Sequence, residues 1–390
     1  MPPPDPIRVL SLIPTFWPRQ GGAQMVLASI AQALGSRIDN TVLTRGYAGC
    51  PIEERYDDFQ VRRFWNPAPE RWKDYATGAH HVAFPAKACV GVFDVLGSVR
   101  ELPRMAEQAD LIHLHFPIPL GLSMLALPAR RRRPLVVTVH GNGDIYELPP
   151  MTAPLTRAVL KRADAIVSVS RDLADYLTQR LSVGPVVTIP NGIDTDLFCP
   201  SPRPTSEQVT LLSISRIVPR KNIDVLINAV QELERQGERR LRLLIAGTGP
   251  SETEVARLAA KSDKTQFLGF IDESRKRELL TQADVFVQLS IREGLSIATL
   301  EALASGVPCV VSDLPGVREP VVPGETGLLV SNPEDVESVV AVLRQLLADR
   351  EQLERMRHTA RQVAEERFSL RVMAEAYYRV YQDVTGRRSG

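Results

Sequence analysis

The chain has 390 residues, of which 44% are hydrophobic and 24% are charged, and its formal net charge is +1. This length exceeds what a single hydrophobic core usually supports, so we expect two domains of about 150–200 residues each. The near-neutral charge gives no basis for nucleic acid as a partner. The four cysteines are far apart and form no CxxC pair, so we expect neither a disulfide framework nor a zinc site, and a cytoplasmic location fits best.

The first predicted elements are a short strand and an amphipathic helix. The strand covers Ile7–Leu12, and the residues before it lack the basic-then-apolar plan of a signal peptide. The helix covers Ala23–Leu34 and is opened by Gly21 and Gly22. A glycine pair after a strand lets the backbone approach a bound ligand closely, although the same pair also occurs in plain turns.

Two further strands are predicted at Asn40–Thr44 and Phe59–Phe64, and a helix from about Ala86 to Leu96. The apolar stretch from Leu111 to Ala129 contains three prolines and two histidines, so a strand and a short helix are favoured over a membrane span. Arg130–Arg133 follow, and four consecutive arginines either end a solvated helix or meet anionic lipid headgroups. A peripheral contact with the inner face of the cell membrane therefore stays open.

Histidines lie on two of the predicted strands. His113 and His115 project from the same face of the strand Asp110–Phe116, but no third ligand is evident nearby, so no metal is expected. The strand Leu135–Val139 is followed directly by His140. Because open α/β sheets bind ligands at the carboxyl ends of their strands, His140 is a candidate ligand-facing residue.

The boundary between the two predicted domains falls near residue 200. Ser170 is expected to cap a helix over Asp172–Leu181, and the turn Pro190–Asp194 closes the first half. The segment Cys199–Ser206 contains three prolines and shows no hydrophobic periodicity, which is typical of a linker.

Cations follow the first strand of the second half. After the strand Val209–Ser215 come Arg216 and Lys221, in a loop that precedes a predicted helix over Ile223–Gln236. Two cations in such a loop can neutralise a diphosphate group. Arg220 is an alternative to Lys221 that we rank lower.

Two glutamates flank the start of a helix near residue 300. The strand Val285–Val287 is followed by a polar break, Gln288–Arg292, and then by Glu293, which precedes the helix that contains Glu301. We expect both carboxylates at a pocket beyond the carboxyl end of the strand. The backbone amides of Gly294–Ile297 would lie at the helix N-terminus, a place suited to anions.

The pair Glu293 and Glu301, followed by EALASGVPCVVSDLPGVREPVVPGETGLLV, resembles the signature of glycosyltransferase family 4. This is a family of retaining enzymes with the GT-B fold that use nucleotide sugars. The resemblance covers nearly the whole chain and is strongest from Val209 to Val330. It implies an α/β fold of two doubly wound Rossmann-like domains facing a cleft. The implied domains are residues 1–198 on the acceptor side, 205–365 for the donor, and a helix at 366–390 that crosses back to the first domain.

The resemblance also implies a role for each motif. His140 contacts the donor sugar near its anomeric centre, Arg216 and Lys221 hold the donor diphosphate, and Glu293 contacts hydroxyls of the sugar. Ribose hydroxyls donate to Glu301. The implied donor-binding set is Gly22, Phe270, Ile271, Gly294, Leu295, Ser296, Ile297 and Glu301, with Phe270 and Ile271 beside the nucleobase.

The implied activity is transfer of a sugar, with retention, from a nucleoside diphosphate sugar to a glycan, lipid-linked or small-molecule hydroxyl. UDP is favoured as the nucleotide, and GDP is the second candidate. No metal or other cofactor is expected. Two alternatives stay open: a UDP-sugar epimerase of the same fold, and a non-catalytic nucleotide-sugar-binding subunit of an envelope polysaccharide assembly.

Overall fold

The computed structural model describes residues 5–19, 21–73, 84–141, 152–201 and 207–387. The chain divides into two compact units. The first unit comprises Met1–Gly192 together with Leu370–Gly390, and the second comprises Ile193–Ser369. Residues 202–206 of the predicted linker lie outside the described part of the chain.

Strands alternate with helices along most of both units. The strands are β1 (Ile7–Leu12), β2 (Ile38–Arg45), β3 (Glu53–Arg55), β4 (Gln60–Phe64), β5 (Leu111–His115), β6 (Leu135–Val139), β7 (Ala165–Ser168), β8 (Val186–Thr188), β9 (Val209–Ile214), β10 (Leu241–Ala246), β11 (Thr265–Phe267), β12 (Val285–Gln288), β13 (Cys309–Ser312) and β14 (Gly327–Val330). The helices are α1 (Gly22–Leu34), α2 (Glu70–Lys73), α3 (Phe84–Gln108), α4 (Gly121–Ala126), α5 (Ala153–Arg162), α6 (Arg171–Leu181), α7 (Ile223–Arg235), α8 (Glu252–Ala259), α9 (Glu273–Gln282), α10 (Ile297–Ala304), α11 (Val336–Ala348), α12 (Arg350–Phe368) and α13 (Leu370–Thr385).

In the first unit the strand order is β3-β4-β2-β1-β5-β6-β7-β8. Neighbouring strands are parallel except for β3, which pairs antiparallel with β4. Every residue of β5 and β6 is buried, as in parallel sheets that are covered on both faces. The strand order reverses between β1 and β5, which is where such sheets bind ligands.

In the second unit the strand order is β11-β10-β9-β12-β13-β14, and every pair is parallel. Counted from β9 along the chain, this is the 3-2-1-4-5-6 order of dinucleotide-binding folds, with its reversal between β9 and β12. A core of buried leucine, isoleucine and valine side chains from the sheet packs against α7, α8 and α11. The predicted α/β class with two Rossmann-like units is therefore confirmed.

Two helices differ from their sequence predictions. The helix predicted from Ala86 to Leu96 extends to Gln108, because buried Leu102 and Ala106 continue its apolar period past Pro103. The helical pattern predicted over Arg350–Val384 is broken at Ser369, where the chain forms an isolated bridge with Ile193. The helix after the break, α13, belongs to the first unit and packs on α1, β5 and β6.

Candidate functional site

In the second unit, the loop after β9 brings a lysine to the sheet edge. A short turn, Pro219–Lys221, ends at Asn222, whose left-handed backbone (φ 50°) leads into α7. Asn222 also donates from Nδ2 to the carbonyl of Pro333, 3.1 Å away, which fixes the end of the loop. Lys221 is largely buried and forms an ion pair with Oε1 of Glu293. The cation after β9 and the carboxylate after β12 thus meet at the point where the strand order reverses.

Gln288, the last residue of β12, organises the loop that carries Glu293. Its Nε2 donates to Oε1 of Glu293 and to Oγ of Ser290, both at 3.2 Å. Its Oε1 accepts from Oγ of Ser296 at 2.6 Å and from Oγ1 of Thr299 at 3.1 Å. The sequence pattern assigns Gln288 to a polar break and indicates no role for it. The sequence feature that could have identified Gln288 is an amide side chain as the last residue of an otherwise apolar strand.

The start of α10 lies directly after this loop. Oγ of Ser296 accepts from the amide of Thr299 at 3.2 Å, so Ser296 is the N-cap, and Ile297 is the first helical residue. Gly294 and Leu295 are buried just before it. Gly316, with φ 73°, packs so closely that a Cβ there would lie 2.2 Å from the carbonyl oxygen of Glu293. The four predicted residues from Gly294 to Ile297 therefore form the helix entry, where the helix dipole favours an anion.

Glu301 lies one turn further along α10 and is 5% exposed. Nζ of Lys276, on α9, donates to its Oε1 at 2.6 Å and also pairs with Glu273 at 2.8 Å. Burial raises the pKa of Glu301 to about 7, although the ammonium group of Lys276 opposes the shift. No sequence pattern identifies Lys276, because its ion pair joins two different helices.

The candidate nucleobase residues follow β11. Phe270 is 78% exposed, whereas Ile271 is half-buried. Just before them, the carbonyl of Gly269 accepts from the amide of Gly247 at 2.8 Å. Gly247 has φ 137°, and a Cβ there would lie 1.8 Å from the carbonyl oxygen of Ser215. Only glycine therefore fits at position 247, because the turn after β10 packs directly on the backbone of Ser215. The next residue, Arg216, lies just after β9 and is exposed.

In the first unit, His140 follows β6 and is paired with a second histidine. Nε2 of His140 lies 2.9 Å from Nδ1 of His115, and the two rings are nearly parallel at 14° with their centroids 5.2 Å apart. The ring of Phe116, whose φ of 75° is unusual for a non-glycine residue, lies 5.1 Å from that of His140. Burial lowers the pKa of His140 to about 3, so the ring is neutral at physiological pH.

The other predicted residue of the first unit is Gly22, the first residue of α1. Gly21 is the N-cap and has no side chain to bond the first amides of the helix. A Cβ at Gly21 would lie 2.7 Å from Oε1 of Gln24, whose Nε2 donates to the carbonyl of Thr15 at 3.0 Å. The helix entry is therefore shaped by the buried Gln24, and Gly22 is the first helical residue after the N-cap.

The arginine run after α4 is largely engaged with α3. Arg131 pairs with Glu107 at 2.7 Å, and Arg133 donates to the carbonyls of Ala106 and Glu107 at 3.0 and 3.1 Å. Arg132 donates to the carbonyl of Leu127 at 3.4 Å. Arg133 thus satisfies two carbonyls at the end of α3, and three of the four arginines have structural contacts within the first unit. Among the described residues, no helix has both the length and the apolar composition needed to cross a bilayer.

Within the described parts of the chain, histidine, cysteine, aspartate and glutamate side chains form no group of three or more that could hold a metal ion. His113 and His115 do share a face, with ring centroids 4.1 Å apart, but they engage different partners.

Two family profiles match the chain, one after the other. Residues 20–197 match the profile described as Glycosyltransferase Family 4, and residues 198–363 match Glycosyl transferases group 1. A phosphatidyl-myo-inositol mannosyltransferase of Mycobacterium tuberculosis is 30% identical over 287 residues, which span 71% of this chain and 74% of that protein. A GDP-mannose-dependent alpha-(1-6)-phosphatidylinositol monomannoside mannosyltransferase of Mycolicibacterium smegmatis is 28% identical over 361 residues, spanning 86% and 87%.

Solved structures share the fold at lower identity. Sucrose-phosphate synthase from Thermosynechococcus elongatus superposes with a TM-score of 0.81 at 19% identity, covering 98% of this chain and all of that one. Anabaena HepE in complex with UDP gives a TM-score of 0.74 at 19% identity, covering 97% and 100%. The fold is thus that of the two-domain GT-B glycosyltransferases. The chain belongs to glycosyltransferase family 4, and it is a glycosyltransferase.

Proposed function

We propose that this enzyme transfers a sugar, with retention of configuration, from a nucleoside diphosphate sugar to a hydroxyl of a glycan, lipid-linked or small-molecule acceptor. The observation that carries the proposal is the joining of Lys221 to Glu293 at the strand-order reversal, next to the helix entry at Ser296. A cation and a helix N-terminus can hold a diphosphate, and a carboxylate can accept from sugar hydroxyls.

The residue roles follow from this placement. Arg216 and Lys221, with the amides at the start of α10, would hold the diphosphate, and Glu293 would orient the sugar. Glu301 would accept from the ribose hydroxyls, and Phe270 and Ile271 would lie beside the base. In the first unit, His140 would contact the donor sugar, and Gly22 would let the backbone of α1 approach the ligand. No resident metal or cofactor is proposed.

The proposed reaction needs no base from the protein. The bond between the anomeric carbon and the diphosphate oxygen breaks, and the electron pair leaves with the nucleoside diphosphate. The acceptor oxygen bonds to the same face of that carbon, and its proton passes to the departing phosphate oxygen. His140 is a poor candidate for the base, because a group whose pKa is about 3 binds a proton weakly at neutral pH.

The donor nucleotide is proposed to be uridine diphosphate, with guanosine diphosphate as the alternative. Support is divided: a solved structure with the same fold is in complex with UDP, whereas a relative is named as GDP-mannose-dependent. Both relatives described above are named for transfer to phosphatidylinositol or its mannoside, which makes a lipid-linked polyol the first acceptor to test.

The test begins with thermal unfolding in the presence of UDP, GDP or ADP, since a ligand that binds only the folded state raises Tm. The stabilising nucleotide then selects sugar donors for transfer assays, and the anomeric coupling of the product reports retention. Lys221→Met should lower kcat/KM by about 100-fold or more, as expected for loss of a charge that stabilises a leaving group. The exposed Lys261, just beyond α8, provides a matched Lys→Met control that keeps activity.

Three other experimental outcomes would contradict the proposed retaining transfer. Inversion at the anomeric carbon would contradict the retaining reaction. A sugar product formed without any acceptor would indicate an epimerase. Stabilisation by no nucleotide, together with no transfer, would favour the non-catalytic subunit.

A further inference from the structure

His115 is a buried titratable residue that the proposed reaction leaves without a role. It is the last residue of β5 and is fully buried. Its Nδ1 lies 2.9 Å from Nε2 of His140, and the nearly parallel rings keep the two nitrogens in line. Only one of these two nitrogens carries a proton in the hydrogen bond, so one nitrogen donates and the other accepts.

The surroundings of His115 decide which nitrogen donates. Its other nitrogen, Nε2, is buried and meets no hydrogen-bond partner among the described residues. A neutral imidazole has one N–H donor and one bare acceptor nitrogen. Buried N–H groups without a partner are rarer in proteins than buried acceptors without one. The proton of His115 is therefore on Nδ1, and Nδ1–H donates to Nε2 of His140.

This donation fixes the protonation of His140. Because Nε2 of His140 accepts, the proton of a neutral His140 ring must lie on Nδ1. Both rings are neutral: burial lowers the pKa of His140 to about 3 and, with the nearby His113 and His140, lowers that of His115 well below its usual value. Isolated neutral histidine prefers its proton on Nε2, so the protein reverses the ordinary preference.

We infer that His115 is a positioning residue that holds His140 in the neutral tautomer with its proton on Nδ1. The inference deepens the proposed function, and rests on it, because it takes His140 to be the residue that contacts the donor sugar. The group that His140 offers to the sugar is then a neutral N–H donor aimed at a sugar oxygen. A neighbour that selects a tautomer through the far ring nitrogen is a common device for functional histidines.

The first measurement is the tautomer itself, in protein labelled with nitrogen-15 at its six histidines. In imidazole the bare nitrogen resonates far downfield of the protonated one, so each neutral ring reports its tautomer directly. We expect a bare Nε2 and a protonated Nδ1 for His140. This readout requires neither donor nor acceptor, so it stands whether or not the proposed reaction is found.

Two variants of equal size separate hydrogen bonding from packing. The amide of His115→Asn can place a donor where Nδ1 was, whereas His115→Leu has the same shape and no donor. We expect His115→Leu to return His140 to the Nε2–H tautomer and to lower kcat at least tenfold with little change in the donor KM. We expect His115→Asn to keep the tautomer and to recover most of kcat.

His113→Asn is the control for disturbing a buried histidine of the same strand. His113 bonds to Thr138 and Tyr381 rather than to His140, so the tautomer of His140 should not change. A bare Nδ1 on His140 in the unaltered protein overturns the inference, and so does an unchanged kcat in folded His115→Leu. If His115→Leu does not fold, the nitrogen-15 spectra of the unaltered protein and of His115→Asn decide whether His140 carries its proton on Nδ1. Absence of donor binding in the unaltered protein counts against the proposed function and leaves the tautomer result intact.

Discussion

At the scale of single residues, the pair Glu301 and Lys276 joins a buried carboxyl group to a partly buried ammonium group. Burial alone would lower the pKa of Lys276, but Glu301 and Glu273 raise it above its usual value. Burial likewise raises the pKa of Glu301 to about 7. A carboxyl group with that pKa is only partly ionised at neutral pH, and a ribose hydroxyl donates more strongly to its ionised form.

Nucleotide binding should therefore tighten as the pH is raised from 6 to 8. In Lys276→Met the attraction that lowers the pKa of Glu301 is lost, so Glu301 ionises only at higher pH and binding at pH 7 weakens. If the pKa of Glu301 rises further by about one unit, its ionised fraction at pH 7 falls from about half to about a tenth, so Kd at that pH rises roughly fivefold. Calorimetric titration of the stabilising nucleotide at pH 6, 7 and 8 measures the effect.

Glu301→Gln is the companion variant for this titration, because it should bind weakly with no dependence on pH in the same range. Lys261→Met should keep the pH profile of the unaltered protein. Identical profiles for Lys276→Met and the unaltered protein would contradict the effect of Lys276 on the ionisation of Glu301. Binding to the unaltered protein that does not depend on pH would contradict the role of Glu301 toward the ribose hydroxyls.

At the scale of elements, α13 is anchored to the sheet of the first unit by two buried tyrosines. The hydroxyl of Tyr381 lies 2.7 Å from Nδ1 of His113, whose Nε2 lies 2.8 Å from Oγ1 of Thr138. Oγ1 of Thr138 also lies 3.1 Å from the hydroxyl of Tyr377. This chain of hydrogen bonds links the last helix of the protein to β5 and β6.

Tyr381→Phe should destabilise the first unit by about 1–3 kcal/mol, because it leaves the buried Nδ1 of His113 without a partner. Urea unfolding followed by tryptophan fluorescence measures the change. Tyr378 offers a matched control on the same helix, since it is only half-buried and stacks with Arg37, 3.8 Å from its ring centroid. Tyr378→Phe should cost about 0.5 kcal/mol or less, as for other surface substitutions. Equal losses in the two variants would contradict the anchoring role.

The elements that the sequence predicted well are those with a local cause. The apolar run of β6 and the capping serine of α6, whose Oγ accepts from the amide of Leu173 at 3.3 Å, are both visible in short windows. The extension of α3 past Pro103 was missed, because a proline usually ends a helix and tertiary burial overrode that preference here.

The residues of the candidate site can likewise be predicted from local sequence, whereas the contacts between them cannot. Lys221 and Glu293 could be proposed from their motifs, but their ion pair depends on β9 and β12 being neighbours, which the sequence does not display. Lys276 reaches Glu301 from a different helix, and His115 reaches His140 from a different strand. Contacts of this kind depend on the strand order and on packing, so no local sequence pattern predicts them.

At the scale of the whole molecule, the two units carry buried groups that respond to acid in opposite directions. The first unit holds His113, His115 and His140, each with its pKa lowered, first of all by burial. The second unit holds Glu301, whose pKa burial raises to about 7. The three tryptophans, Trp17, Trp65 and Trp72, all lie in the first unit, so fluorescence reports on that unit alone.

The difference in proton binding between the folded and unfolded chain decides whether acid stabilises or destabilises each unit. Below about pH 6.5 the unfolded chain protonates histidines that stay neutral in the folded first unit, so its free energy of unfolding falls with pH. Asp94 offsets part of this loss, because burial raises its pKa to about 6. The net loss is about 2 kcal/mol between pH 7 and pH 6. Folded Glu301 binds a proton that the unfolded chain releases, so acidification over the same range stabilises the second unit.

The urea midpoint from tryptophan fluorescence should therefore fall between pH 7 and pH 6. Over the same range, hydrogen exchange corrected for pH should lose protection in peptides of β6 but not in those of β13. His113→Asn removes one of the three buried histidines, so its histidine-driven loss on acidification should be smaller by about a third. A fluorescence midpoint that does not change with pH would contradict the lowered pKa values of the three histidines in the folded first unit. Equal losses of protection in β6 and β13 would show that the units unfold together rather than separately.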